Sequence, residues 1–309
     1  MLQKPILVKS TNRNVLAKRH PEVGVADDWF TNQILNEFSY YGLQGIDFFV
    51  NWQTREISNE FWIKRIIPSD FTMESTRKKY VQDLIYECDG EDEVKLAGMF
   101  FNGKLKYKLF RESNDWKNHH NNPTPILDVT IDSNGEVESV VKTSLETLEI
   151  NIRELSGGPV SVGSKGLFYS SSTLEEYLSH TDALWPGDVD LVIFDNFYQP
   201  KAIIEFKKHT KSEPLRDHKF NRYYPYPDGK KYDRLAILKN SIENSLNINV
   251  PLIVLYYPVI ESIEDIIFEE IIGEVGHLEA TNETSLLLPK NKEQIGYIIE
   301  VLQRNYMNK

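Results

Sequence analysis

The stretch "WPGDVDLVIFDNFYQPKAIIEFKKH", Trp185 to His209, holds two apolar runs, "VDLVIF" and "KAIIEF", that read as strands buried on both faces. Yet Asp190 sits inside the first run, and Glu205 and Lys207 end the second. An unpaired charge in a core costs on the order of several kcal/mol, so these residues need partners or a cation. Side chains two apart on a strand share a face, and Glu205 and Lys207 therefore project together. A neighbouring strand that brings Asp190 beside Glu205 creates two hard oxygen donors suited to Mg²⁺, and the Phe206 carbonyl is a third candidate ligand.

Outward from this stretch the order of elements is α/β. "STLEEYLSH" (172–180) is a short helix in which Ser172 and Glu175 fit a capping box. "KYDRLAILKNSIENSL" is amphipathic, with Leu235, Leu238, Ile242 and Leu246 on one side, and it stops before Pro251. "LIVLYY" is a further buried strand, and "KEQIGYIIEVLQRNY" a last helix.

The first half reads as a separate unit. "DDWFTNQILNEFSYYG" predicts a helix ending near Gly42, followed by strands at "GIDFFVNW" and "EFWIKRII". "VKLAGMFFNGKLKYKLF" predicts a hairpin turning at Asn102-Gly103. Lys104, Lys106 and Lys108 would then form a solvated face that protects an edge strand. "ILDVTIDSNGEVESVV" repeats the strand–Asn-Gly–strand pattern. Loops are expected at 121–125 and 156–166, and the second places a boundary between domains 1–155 and 156–309. No internal repeat is visible.

The 309 residues are 40% hydrophobic and carry a net charge of −11, with a single cysteine, Cys88. One cysteine excludes an intramolecular disulfide framework and a multi-thiolate zinc site. No signal peptide or apolar span long enough for a membrane is apparent, so a soluble cytoplasmic protein with no membrane partner is expected. Overall acidity argues against indiscriminate nucleic-acid binding. From Lys201 to Lys239, however, eleven Lys or Arg face five acids, a local balance of +6. This strip is interleaved with the aromatics of "FNRYYPYP", a combination suited to a phosphate backbone. The acidic run from Glu261 to Glu279 reads as a solvated face.

Asp190, then fourteen residues, then Glu205-Phe206-Lys207, all after a Pro186-Gly187 turn, closely resembles the PD-(D/E)XK nuclease superfamily. The resemblance covers roughly residues 160 to 260 and says nothing of the first half. It implies a restriction-endonuclease-like core, with a mixed central sheet flanked by helices, beside a strand-rich mixed N-terminal domain. It further implies a Mg²⁺-dependent endonuclease, with Mn²⁺ as a substitute, in which Asp190 and Glu205 bind metal and Lys207 assists attack on a phosphodiester. DNA is favoured over RNA because the family favours it, and a restriction or defence role is the corresponding expectation. Dimerisation would let two sites cut both strands. Glu175, Glu176 and Asp188 are candidates for an additional acid, although capping, solvation and the turn account for them. Lys208, Lys231 and Arg234 are candidate phosphate contacts, while packing explains Tyr232. An inactive nuclease fold used for binding or assembly is the alternative.

Other motifs are weaker. The triplets "EVK" (93–95), "DWK" (115–117), "DHK" (217–219) and "DGK" (228–230) lack a preceding apolar strand and read as surface. "GPVSVGSKG" falls short of a phosphate-binding loop, and His119-His120 lack the third histidine of an HNH site. His209 and His218 are too isolated to be taken as ligands. "GIDFFVNWQTREISNEFWIK" mimics the nuclease pattern with Asp47 and Lys64, but Trp62 stands where the acid belongs.

Overall fold

The chain runs through one succession of elements twice. The computed structural model describes residues 1–9, 26–68, 77–113, 115–118, 126–162, 167, 169–260 and 262–308. Two compact units result, Met1–Arg19 with Ile46–Asp188, and His20–Gly45 with Val189–Lys309. The loop at 156–166, where the sequence placed a boundary, falls inside the first unit. The loop expected at 121–125, His119-His120, and Gly163 to Gly166 of the phosphate-loop look-alike lie outside the described residues.

In the first unit, β1 (Tyr40–Asn51, entering this unit at Ile46) pairs antiparallel with β2 (Glu56–Ile66). Two helices, α1 (Lys78–Asp89) and α2 (Glu91–Phe100), lead to β3 (Leu105–Phe110), which is parallel to β2. Strands β4 (Ile126–Ile131) and β5 (Val137–Thr143) follow antiparallel, and α3 (Leu145–Leu155) closes the series. A short helix, α4 (Thr173–Leu178), comes next.

The second unit repeats the order. Strands β6 (Gly187–Asp195) and β7 (Pro200–His209) are antiparallel, and α5 (Gly229–Leu246) crosses to β8 (Leu252–Pro258), which is parallel to β7. Antiparallel β9 (Asp265–Glu274) and β10 (His277–Leu287) follow, then α6 (Lys292–Leu302). Each unit is thus a mixed α/β assembly around a mixed sheet with one parallel crossover. The repetition lies in the topology, which explains why no repeat is legible in the residues.

Most elements lie where apolar periodicity places them, with three corrections. Glu91–Phe100 is a helix, not the first strand of a hairpin. Three acids in its first turn favour its positive N-terminus. Asn102 and Gly103, both at positive φ, turn the chain out of this helix into β3. Lys104 is exposed, but Lys106 is half-buried and pairs with Glu60 and Lys108 is fully buried, so the expected solvated face fails at Lys108. Finally, residues 26–38 form short helical turns rather than one helix, and Gly42 lies within β1. A Cβ at Gly42 would stand 2.8 Å from the Leu35 side chain, so a larger residue here would have to push that side chain aside.

In the second unit, the sheet face bearing Leu191, Ile193, Ile204 and Leu255 buries α6 and the 26–40 segment. Because neighbours on a strand alternate, Glu205 and Lys207 point to the opposite face, toward α5. The same parity corrects the look-alike in the first unit. Trp62 packs with α3 and α4, while Phe61 stacks on Phe101 and Arg65 pairs with Asp89 on the crossover side. Trp62 and Lys64 therefore project away from their crossover helices, whereas Glu205 and Lys207 project toward theirs. The two patterns match as text and differ by one step of strand parity. Among the described residues no helix is long and apolar enough to cross a membrane.

Candidate active site

Antiparallel register between β6 and β7 pairs Leu191 with Ile204, so one step further Asp190 comes opposite Glu205. The Asp190 Oδ2 atom accepts the Phe206 backbone N–H at 2.6 Å, in place of a ladder carbonyl just beyond the last β6–β7 pair. The first two members of the expected triad are therefore adjacent. Glu205 is only 1% exposed. Its Oε1 is ion-paired with Lys231 from the first turns of α5, while Oε2 has no hydrogen-bond partner among the described residues. The Tyr232 hydroxyl is likewise buried without a partner. Burial and the Glu205 charge both push this phenol well above its ordinary value.

Lys207, two residues on, pairs with Asp228 and lies 4.0 Å over the Tyr223 ring. Asp228 belongs to the "DGK" triplet that reads as surface, and its placement corrects that reading. Its position just before α5 was the available signal, because the helix following the acid-x-lysine strand returns to the same face. Lys239 is engaged by Glu243 one helical turn on, at 2.6 Å. Arg234 and Lys208 are half-buried. The rings of His209 and His218 lie 5.0 Å apart, and His209 Nε2 bonds to the Glu213 carbonyl at 2.8 Å. Burial and neighbouring cations lower the His218 pKa.

The candidate additional acids have partners in the first unit. Glu175 Oε2 accepts from the Ser171 N–H at 2.7 Å and lies 3.6 Å from Lys64. The Ser172 Oγ caps α4 by accepting from the Glu175 N–H at 3.1 Å, as the sequence predicts. The charge of Asp188 acts on Asp47 and Lys64. Glu176 is half-buried on α4, and its carbonyl accepts from Ser179.

Asp47 itself is 1% exposed and 3.3 Å from the Lys64 ammonium. Burial pushes its carboxyl up to about 7 against the pull of Lys64, with Asp188 and Glu175 adding to the rise. Burial opposes the charge on Lys64, but the surrounding carboxylates outweigh it and raise its pKa. A carboxyl whose folded pKa lies above its unfolded value of 3.8 binds more protons when folded, so stability falls as pH rises from about 4 to 7. Asp47→Asn is expected to remove this component. Its Tm should gain on that of the native protein between pH 5 and pH 8, and thermal denaturation at unit pH steps checks it. A Tm difference that stays constant with pH would refute the assignment.

Could a divalent cation be held here? Among the described residues, no group of three or more His, Cys, Asp and Glu side chains is assembled as a metal site. The donor set where β6–β7 pairing stops is two carboxylates and a main-chain carbonyl, which is hard oxygen throughout. The orphaned Glu205 Oε2 and the Lys231 ammonium on Oε1 mark a position that calls for positive charge, so the residues fit Mg²⁺.

No protein-family model matches the chain, and no curated protein matches it. Among solved structures, one neighbour is described as "Crystal structure of Sex pheromone staph-cAM373 precursor". It shares 11% identity over 90% of this chain and 85% of that one, with a TM-score of 0.19, a likeness too slight to carry any argument.

Proposed function

We propose that the second unit is a metal-dependent nuclease that hydrolyses phosphodiester bonds, with DNA as substrate in an endonuclease of restriction or defence type. The observation that carries this reading is Glu205: a carboxylate buried within β7 where its pairing with β6 stops, one oxygen without a protein partner, beside Asp190 and on the same face as Lys207. Asp190, Glu205 and the Phe206 carbonyl would hold Mg²⁺ or Mn²⁺. Such an ion, when bound, polarises a phosphoryl oxygen and lowers the pKa of water. Glu205 and Asp190 supply the negative charge that fixes the ion's place. Lys207, held by Asp228 and Tyr223 within reach of the same face, stabilises charge that builds on phosphoryl oxygens during attack. Lys231, now paired with Glu205, would with Lys208 and Arg234 offer positive charge to the substrate backbone.

Plasmid nicking and linearisation by the purified protein in Mg²⁺, Mn²⁺ or EDTA tests the reading beside Asp190→Ala and Lys207→Ala. Metal-dependent cutting should fall by on the order of a hundredfold or more in each folded variant. Cutting that survives both substitutions would place the chemistry elsewhere.

One observation favours a second reading, an inactive nuclease fold that binds nucleic acid or assembles with a partner. Asp190, Glu205 and Lys207 each already have a protein partner, in Phe206, Lys231 and Asp228. That reading expects binding without cleavage, and no effect of Lys207→Ala on whatever the protein does.

A further inference from the structure

The loop between β7 and α5 carries a feature that the triad does not use. The Asp228 N–H donates to the Tyr223 carbonyl at 2.9 Å, closing a loop over residues 223–228. Both ends are anchored. Tyr223 lies under Lys207, and Asp228 holds the same ammonium. The Tyr224 ring stacks on Phe220 at 5.0 Å, and its hydroxyl donates to Asp233 at 3.0 Å. At the tip, between Pro225 and Pro227, the Tyr226 side chain is 84% exposed and has no ring or hydrogen-bond partner among the described residues. Its loop thus presents a bare aromatic face from a fixed frame, beside the ammonium of the candidate triad and within the basic strip. Solvation of a loop is served equally well by a small polar residue. A large ring on an anchored frame calls instead for a flat apolar partner, and the exposed Arg222 and Lys230, four residues to either side in the chain, favour one joined to phosphates.

We propose that Tyr226 stacks on an unpaired base, so that the substrate is a nucleic acid with a single-stranded or unstacked nucleotide next to the scissile phosphate. This rests on the nuclease reading of Asp190, Glu205 and Lys207 and narrows it. Bases inside a duplex are stacked on one another and offer no face to a side chain, whereas strand ends, flaps and bulges do. Stacking is tolerant of sequence, since every base has a π-face. The loop therefore selects for local strand separation rather than for a base order. Tyr226 is a positioning residue: it sets where the strand lies, and Lys207 and the carboxylates act on the phosphate.

The test measures binding of fluorescent oligonucleotides by anisotropy, with Ca²⁺ in place of Mg²⁺, to the native protein, Tyr226→Ala and Tyr226→Trp. Single-stranded, flapped and blunt duplex forms are compared, and cleavage of each in Mg²⁺ is followed in parallel. The expected result is tighter binding of the single-stranded and flapped forms, a loss of roughly 5- to 100-fold in Tyr226→Ala, and recovery in Tyr226→Trp. Blunt-duplex binding and the melting temperature should not change in Tyr226→Ala. Metal-dependent cleavage with equal binding of all three forms, unaffected by Tyr226→Ala, would overturn the stacking role and leave the nuclease standing. Absence of both binding and cleavage for every form would overturn the nuclease reading, and the stacking role with it.

Discussion

Glu205→Gln is expected to abolish cleavage while leaving the protein as stable as before, or more so. The two effects come from the same physical situation. The carboxylate is 1% exposed, and its Oε2 has no protein partner, so folding strips water from a charged oxygen and returns nothing to it. Lys231 offsets part of that loss through Oε1, but its side chain remains 34% exposed and can return to solvent. An amide of the same shape has a much smaller desolvation cost and can still bond Lys231 through its oxygen. Stability should therefore hold or rise, in the way that replacing a functional group commonly does. Activity should fall by on the order of a hundred- to a thousandfold, because a neutral oxygen neither fixes a cation nor offsets its charge. Plasmid cleavage and thermal denaturation of the same preparation decide the matter. A Tm lowered by more than about 5 °C with cleavage intact would mean that Glu205 and Lys231 form a structural pair and nothing else.

How far the candidate site could be read without coordinates depended on which geometric rule each residue needed. Glu205 and Lys207 needed only strand parity, and Asp190 needed only two neighbouring strands, so the placement of all three was legible. Asp228 carried only the signal of its place just before α5, too weak to use because its role depends on where the chain returns after a 19-residue connection from His209 to Gly229. Parity also marks the limit of pattern matching. Asp47, Trp62 and Lys64 imitate the motif in order and spacing, but nothing in the text says which face of β2 meets α1 and α2. In the same way, Lys104, Lys106 and Lys108 were placed on one face correctly in relative terms, while the assignment of that face to solvent failed at Lys108. At Glu91–Phe100 the apolar run "VKLAGMFF" fits a strand or a buried helix, and the Asn102-Gly103 pair tipped the reading toward a hairpin. Those two residues do adopt the positive φ expected of them, after a helix instead of a strand. The repeated topology was invisible because strand order is set by long-range pairing, which two unrelated stretches of residues can satisfy.

Lys108 leads to the largest expected change in stability. Its side chain is 0% exposed, its ammonium is 2.6 Å from Asp128 Oδ2, and it lies 4.0 Å over the Trp62 ring. Asp128 Oδ1 has no hydrogen-bond partner among the described residues, so the pair is held by one strong contact and the ring. Burial lowers the Lys108 pKa even though Asp128 pulls the other way. Asp128→Ala removes the anion paired with Lys108 and leaves an ammonium in the core, a change that costs on the order of 3–5 kcal/mol. Lys108→Met fills the same space but leaves the Asp128 carboxylate, 16% exposed, without its cation, so this single change is also destabilising, by less than Asp128→Ala because the carboxylate is nearer to water. Adding Lys108→Met to Asp128→Ala should then recover most of what the single change lost. Here pH supplies an independent check. A lysine whose folded pKa lies below its unfolded value binds fewer protons when folded, so stability rises with pH between the two. Without Asp128 the folded pKa drops further, and Asp128→Ala should regain stability between pH 7 and pH 9.5 more steeply than the native protein does. Urea denaturation of the four proteins at both pH values measures this. If Asp128→Ala is as stable as the native protein at pH 7, the ammonium has another route to compensation, and Lys108 is not the buried charge that the sheet geometry makes it.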